Sequence, residues 1–174
     1  MARVTLRRAT AADIVWLERW DDEPDVVAAT SDDPAATVAF EGIVWADEIA
    51  AQSNLMQYYI GELDGRPIGA MQLCDPQLEP THYWGDVAPN LRALDIWIGA
   101  AADRGQGYGA EMMRLALALC FAEPNVTAVI IDPLASNTRA HRFYRRLGFK
   151  LIDRRHFGED DCLVFELARR DWQA

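Results

Sequence analysis

The chain has 174 residues, 51% of them hydrophobic, and a formal net charge of −10 at neutral pH. That is enough apolar material for one sizeable core, and no Pro/Gly/Ser-rich linker or repeat divides it, so a single domain over 1–174 is expected. The acidic balance argues against nucleic acid, whose binding needs a basic surface to displace counterions.

Two further classes are excluded at this level. No apolar run approaches the ~20 residues of a membrane span, and the charged stretch Met1 to Arg8 lacks the apolar segment of a secretory leader. A cytoplasmic protein with no membrane partner is the expectation. Cys74, Cys120 and Cys162 are widely separated within apolar segments and read as reduced core thiols. They form no ligand spacing with His82, His141 or His156, so no metal is expected.

In chain order, Val4 to Arg7 reads as a short strand. Thr10 is positioned to cap a helix running through Trp20, with Ile14 and Leu17 inward. Asp21 to Pro34 reads as an acidic loop, and Ala35 to Ala51 as a helix interrupted by Gly42. Tyr58 to Leu63 and Pro67 to Leu73 form two strands joined across Asp64-Gly65, a hairpin signal. A polar, aromatic loop from Asp75 to Arg92 leads to a strand over Ala93 to Ile98.

A glycine-rich turn, Arg104 to Gly109, then opens a helix over Tyr108 to Ala122. Met112, Leu115, Ala116 and Leu119 recur there at helical spacing, but Met113, Leu117, Cys120 and Phe121 make nearly the whole circumference apolar. That is a core helix and not a cofactor box. A strand over Val126 to Asp132, a helix over Ser136 to Leu147 closed by Gly148, and two strands near Phe149 to Arg155 and Asp161 to Leu167 complete the chain.

The turn carries the most chemistry. Three glycines in five residues let the backbone approach a ligand closely and adopt positive φ, so that successive N–H groups converge on phosphate oxygens at a helix N-terminus. By itself, such a turn also serves merely to turn a corner. The spacing matches neither G-x-x-x-x-G-K-[ST] nor G-x-G-x-x-G, which disfavours nucleoside triphosphates and dinucleotides. Downstream, Asn137, Ala140 and Tyr144 fall on one helical face. From the residues alone, Tyr144 is either a core tyrosine with a satisfied hydroxyl or an acid. Asp95 lies inside the apolar strand Leu94-Asp95-Ile96-Trp97-Ile98, where a carboxylate needs either an arginine partner or a function. Asp132 precedes Pro133 at a strand end.

Arg104-x-x-Gly107-x-Gly109 resembles the [QR]-x-x-G-x-[GA] loop with which the GNAT acetyltransferase superfamily binds the pyrophosphate of acetyl-CoA. The run N-x-x-A-x-x-x-Y-x-x-x-G-F, Asn137 to Phe149, is likewise typical of that family. The resemblance implies the GNAT fold, an α+β arrangement with a mixed, mostly antiparallel sheet flanked by helices, whose central strands Ala93 to Ile98 and Val126 to Asp132 splay apart. It also implies acetyl-CoA as cosubstrate, held by Ile96, Trp97, Ile98, Arg104, Gly105, Gln106, Gly107, Tyr108, Gly109, Asn137 and Tyr144. Within the superfamily, the tract Thr127 to Phe149 is similar to aminoglycoside 6'-N-acetyltransferases, as are Asp95 nine residues before the loop and Trp84 in an acidic loop before it.

That similarity implies direct attack of a primary amine on acetyl-CoA. Asp95 would be the base, directly or through water, a backbone N–H of Ile96 to Ile98 would polarise the carbonyl, and Tyr144 would be the acid. Trp84, Asp86 or Glu79, Asp95 and Asp132 would bind the substrate. The implied partner is a cationic small-molecule amine, with the protein a monomer or homodimer and its role that of antibiotic resistance. Siderophore-lysine, polyamine or peptide N-acyltransferases, and a CoA-binding module without catalysis, share the general pattern.

Overall fold

Asp64 and Gly65 both take up left-handed backbone, with φ of 51° and 84°, the geometry that lets a two-residue turn follow the twist of the strands it joins. In the computed structural model, which describes residues 3–173, this turn connects β2 (Met56–Leu63) to β3 (Arg66–Cys74). Around that hairpin, β1 (Val4–Arg8), β4 (Leu91–Ile98), β5 (Ala128–Ile131), β6 (Lys150–Phe157) and β7 (Asp160–Ala168) assemble a seven-stranded sheet of order β1-β2-β3-β4-β5-β7-β6. Every neighbouring pair is antiparallel except β4 and β5.

Strand alternation divides the core into layers. Leu94, Val129 and Ile131 face α4 (Tyr108–Ala122) and α5 (Thr138–Arg146), packing with Met112, Met113, Leu117 and Phe165. Trp97, Tyr58, Ile60 and Ala70 face the other way, onto α1 (Ile14–Asp21), α2 (Pro24–Thr30) and α3 (Trp45–Ala50). The loop between β3 and β4 covers the remainder, with Trp84 buried against Cys74, Leu91, Ile130 and Val164. All three cysteines are free and buried.

The fold agrees with the expected mixed, mostly antiparallel sheet, and α4 has the expected bounds. The N-terminal third differs in two places. The acidic segment 21–34 contains α2, whose start is built by Pro24 at the first helical position, where φ is preset and no N–H is needed. Conversely, the helix expected over Ala35 to Ala51 shrinks to the six residues of α3. Gly42 sits at φ 81°, outside the helical region, and Phe40 turns its ring onto Trp97 at 4.8 Å instead of continuing a helical stripe. Tertiary aromatic packing outweighs the weak local preference there.

Candidate active site

β4 and β5 stay paired only from Leu91↔Ala128 to Ala93↔Ile130. Beyond that rung β4 continues to Ile98 while β5 ends, so the two strands part and alternate backbone groups of residues 95–98 on that edge lack a strand partner. Two residues past the rung on each side stand Asp95 and Asp132, which share the face of Ala93 and Ile130. The period of two, with the parallel register, thus brings two carboxylates to opposite lips of one opening. A cleft of about 1120 Å³ runs from there to the N-terminus of α4.

At the far end lies the glycine-rich turn. Gly105 and Gly107 have φ of 73° and 87°, and Gly107 caps α4. The N–H groups of Gly105, Gln106, Gly107, Tyr108 and Gly109 donate to no acceptor among the described residues, and the first inward bond of the helix runs from Ala110 to the Gly107 carbonyl. Five successive unpaired donors at the positive end of a 15-residue helix constitute an anion site. The turn is braced from beneath, since Arg66 grips Asp103 through two bonds of 2.7 and 2.8 Å and holds that carboxyl below its usual range. An acyl-CoA diphosphate fits these donors, which glycine leaves uncovered.

The cleft lining carries both signs, with Arg114 on α4 and Arg139 and Arg146 on α5, and Asp95, Asp132 and Asp160 on or beside β4, β5 and β7. Asp95 is open to the cleft water yet ringed by protein, and this desolvation raises its carboxyl to about 6. Asp132 is raised as well, first by desolvation and then by the charge of Asp95. The two therefore titrate as a pair whose protons are held well above the ordinary carboxylate range. Such a pair can hold a cation between its two carboxyls.

Tyr144 is 6% exposed, and its hydroxyl finds no hydrogen-bond partner among the described residues although the residue lines the cleft. Burial, then the charges of Asp95 and Asp132, push its hydroxyl up, so it stays protonated and able to donate. Asn137 caps α5, its Oδ1 accepting from Ala140 N–H at 3.0 Å, which leaves its amide N–H₂ without a protein acceptor among the described residues. Ile96, Trp97 and Ile98 line the cleft beside them.

Other expected site residues are not brought in. Trp84 is a buried packing residue, 5.2 Å from Phe157 in an edge-on arrangement, and lies away from the cleft. Asp86 is exposed outside the cleft lining, and Glu79 is consumed in stapling its own loop, accepting from Thr81 and Tyr83 N–H groups. The guanidinium of Arg104 turns away from the anion site: it donates to the Ile98 and Gly99 carbonyls and pairs with Asp25. The loop's charge toward a phosphate therefore comes from backbone dipoles.

Two contributors were missed by sequence reasoning. Tyr83 donates its hydroxyl to Asp132 Oδ2 at 2.7 Å and stacks on Phe157 at 4.6 Å. Tyr83 carried no sequence signal beyond its place in the polar, aromatic loop Asp75 to Arg92. The second is α2, which contributes Asp25, Val26, Ala28 and Ala29 to the cleft wall; the Glu23-Pro24-Asp25 start was its only local signal.

The acetyltransferase (GNAT) domain family matches residues 9–157. Aminoglycoside N(6')-acetyltransferase type 1 of Klebsiella pneumoniae is 31% identical over 149 residues, covering 84% of this chain and 74% of that protein. The kanamycin resistance protein of Rhizobium radiobacter is 35% identical over 74 residues, 42% of this chain and 68% of that protein. Among solved structures, aminoglycoside acetyltransferase AAC(6')-Ib in complex with coenzyme A superposes with a TM-score of 0.81 at 27% identity, over 97% of this chain and 96% of that one. The same enzyme with coenzyme A and kanamycin gives a TM-score of 0.80 at 27% identity and the same coverage.

Proposed function

Because the chain belongs to the GNAT acetyltransferase family and is an acetyl-CoA-dependent N-acetyltransferase, we propose that it acetylates the 6'-amine of an aminoglycoside. The observation that carries the choice of acceptor is the carboxylate pair Asp95 and Asp132 at the splayed end of the same cleft that the row of unpaired N–H donors lines. One half of the cleft suits a polyanion and the other a polycation. The relatives support the same choice, being named for aminoglycoside acetylation and kanamycin resistance.

Acetyl-CoA supplies an already activated thioester, so the chain needs no nucleophile of its own; the three thiols are buried, and desolvation holds those of Cys120 and Cys162 up at about 12. The protein's own tasks are to hold, to polarise and to move two protons. The N–H groups of Gly105 to Gly109 bind the diphosphate, and the Asn137 amide faces the arm that follows it. Unpaired N–H groups on the free edge of β4 point toward the carbonyl oxygen of the acyl group. Asp95, raised to about 6, takes the ammonium proton, directly or through water, while Asp132 and Tyr83 orient the amine. As the C–N bond forms and the C–S bond breaks, the Tyr144 hydroxyl gives its proton to the departing sulfur, and the second proton shed by the nitrogen restores the hydroxyl.

The deciding experiment is steady-state turnover of two aminoglycosides that differ only in a 6'-amine against a 6'-hydroxyl, read as free CoA released. Turnover confined to the amine is expected. Equal turnover of the two excludes the 6' position.

A further inference from the structure

Asp95 stands at the end of a polar row that crosses three strands. Gln72 on β3 lies directly opposite it, and Tyr58 on β2 lies directly opposite Gln72, so the three side chains share one face, with neighbouring Cβ atoms about 4.5–5.5 Å apart. The row ends on α3, where Glu48 Oε2 accepts from the Tyr58 hydroxyl at 2.7 Å. Exposure changes along it. Tyr58 is buried, with Trp45 edge-on at 5.5 Å, Gln72 and Glu48 are half-buried, and Asp95 opens to the cleft. Gln72 therefore links a buried hydrogen-bonded pair to the base.

Proton inventory fixes which way the Gln72 amide points. The Tyr58 hydroxyl has a single proton, and the Glu48 carboxylate, which offers only lone pairs, takes it; Met56 Sδ, 3.9 Å away, is a far weaker acceptor. The Tyr58 oxygen can then only accept from Gln72, which donates through Nε2 at 2.8 Å. The amide oxygen is thereby turned off Tyr58, and Oε1 accepts from no described residue. Asp95 is equally unbonded: its charge is felt by Tyr58, Cys74, Tyr83, Asp132 and Tyr144, yet among the described residues none donates to its carboxyl. We propose that Gln72 binds the acceptor: Oε1 takes a second hydrogen of the ammonium that Asp95 deprotonates, and Tyr58, held by Glu48, is the positioning residue that keeps the amide oxygen, and not its N–H₂ group, on that side. This rests on the assignment of Asp95 as the base for a cationic amine. An N–H₂ group in that place would repel the ammonium and donate to Asp95 instead, weakening it as a base.

Gln72→Met keeps the length and packing of the side chain and removes the acceptor. With kanamycin, KM for the amine rises at least about fivefold, since hydrogen bonds to charged groups are the stronger kind, while KM for acetyl-CoA stays at the wild-type value. An unchanged amine KM overturns the proposal. Tyr58→Phe retains the ring against Trp45 and frees the amide, whose N–H₂ group then turns to Asp95. A carboxylate that gains a donor holds its proton less tightly, so Asp95, held at about 6 in the wild type, titrates lower, and the acid limb of kcat/KM moves down by about one pH unit. Combining Tyr58→Phe with Gln72→Met leaves no amide to turn, and the displacement disappears. A limb that stays in place in Tyr58→Phe, or that moves equally with and without Gln72, overturns the positioning role. The carboxyl carbon of Asp95, followed by NMR in the ligand-free protein, reads the same displacement with no acceptor present. If kanamycin is not turned over, the choice of acceptor fails, and this titration still decides the orientation of Gln72: an Asp95 midpoint unmoved by Tyr58→Phe overturns it.

Discussion

Replacing Asp132 with asparagine is expected to make the ligand-free protein more stable while weakening its hold on the amine. In the folded chain the Asp132 carboxyl rises from 3.8 to about 8, chiefly by desolvation and then by Asp95. Below pH 4 the carboxyl is protonated in both folded and unfolded chains and contributes no difference. Between about pH 4 and 8 the unfolded chain has released the proton and the folded one resists, so the fold is progressively penalised up to a plateau above pH 8. At about 1.4 kcal/mol per pH unit the isolated shift would amount to several kcal/mol. Water in the open cleft and sharing of the proton with Asp95 reduce this, and a gain of about 1–3 kcal/mol at pH 8 is expected. Asparagine keeps an oxygen to accept the Tyr83 hydroxyl, so little is lost in exchange. For a chain of this size the gain corresponds to a rise in Tm of about 3–9 °C. Denaturation of wild type and variant at pH 8 and pH 4, without ligand, measures it directly. An equal gain at both pH values, or none at pH 8, would refute the argument that this site stores unfavourable charge for a cationic substrate.

Three other expectations follow from the same geometry. Gly107→Val imposes a β-branched side chain on a backbone at φ 87° in the middle of the unpaired donors, and should lower acetyl-CoA affinity by at least about tenfold in calorimetry while the protein stays folded. Tyr144→Phe keeps the ring packed against Phe149 and Phe165, so stability should move by less than about 0.5 kcal/mol while kcat falls at least about tenfold; wild-type kcat would return Tyr144 to a packing role. Tyr83→Phe removes the one hydroxyl that favours the ionised form of Asp132. The KM for the amine should therefore rise, and rise more at pH 6.5 than at pH 9, with the KM for acetyl-CoA unchanged; a pH-independent increase would assign Tyr83 to simple contact.

Much of the donor half was legible in the chain because its signals are local. Three glycines before an apolar helix need no distant residue to adopt positive φ, and Asn137 caps the helix in which it stands. The hairpin at Asp64-Gly65 and the bounds of α4 follow from the same kind of rule, since turn geometry and helical periodicity act within a few residues. The guanidinium of Arg104 shows the limit of that reasoning. Its position in the motif suggested a phosphate contact, yet the carbonyls ending β4 and the acids of α2, 79 residues away in sequence for Asp25, claim it first.

What the sequence alone determined, then, is the donor cradle and the presence of acids within apolar strands, because each is written in neighbouring residues. Only the tertiary structure decided which acids meet and what surrounds them. Asp95 and Asp132 become a pair through the parallel register Ala93↔Ile130, whereas Asp86 and Glu79, equally acidic on paper, end outside the cleft or inside their own loop. Trp84 went to the core and Tyr83 to the site for the same reason: adjacent residues on a loop point in different directions, and long-range packing against β6 selects which one faces the opening. α2 lies where Val26 joins the core and Asp25 pairs with Arg104, contacts between segments far apart in the chain, which no local pattern encodes.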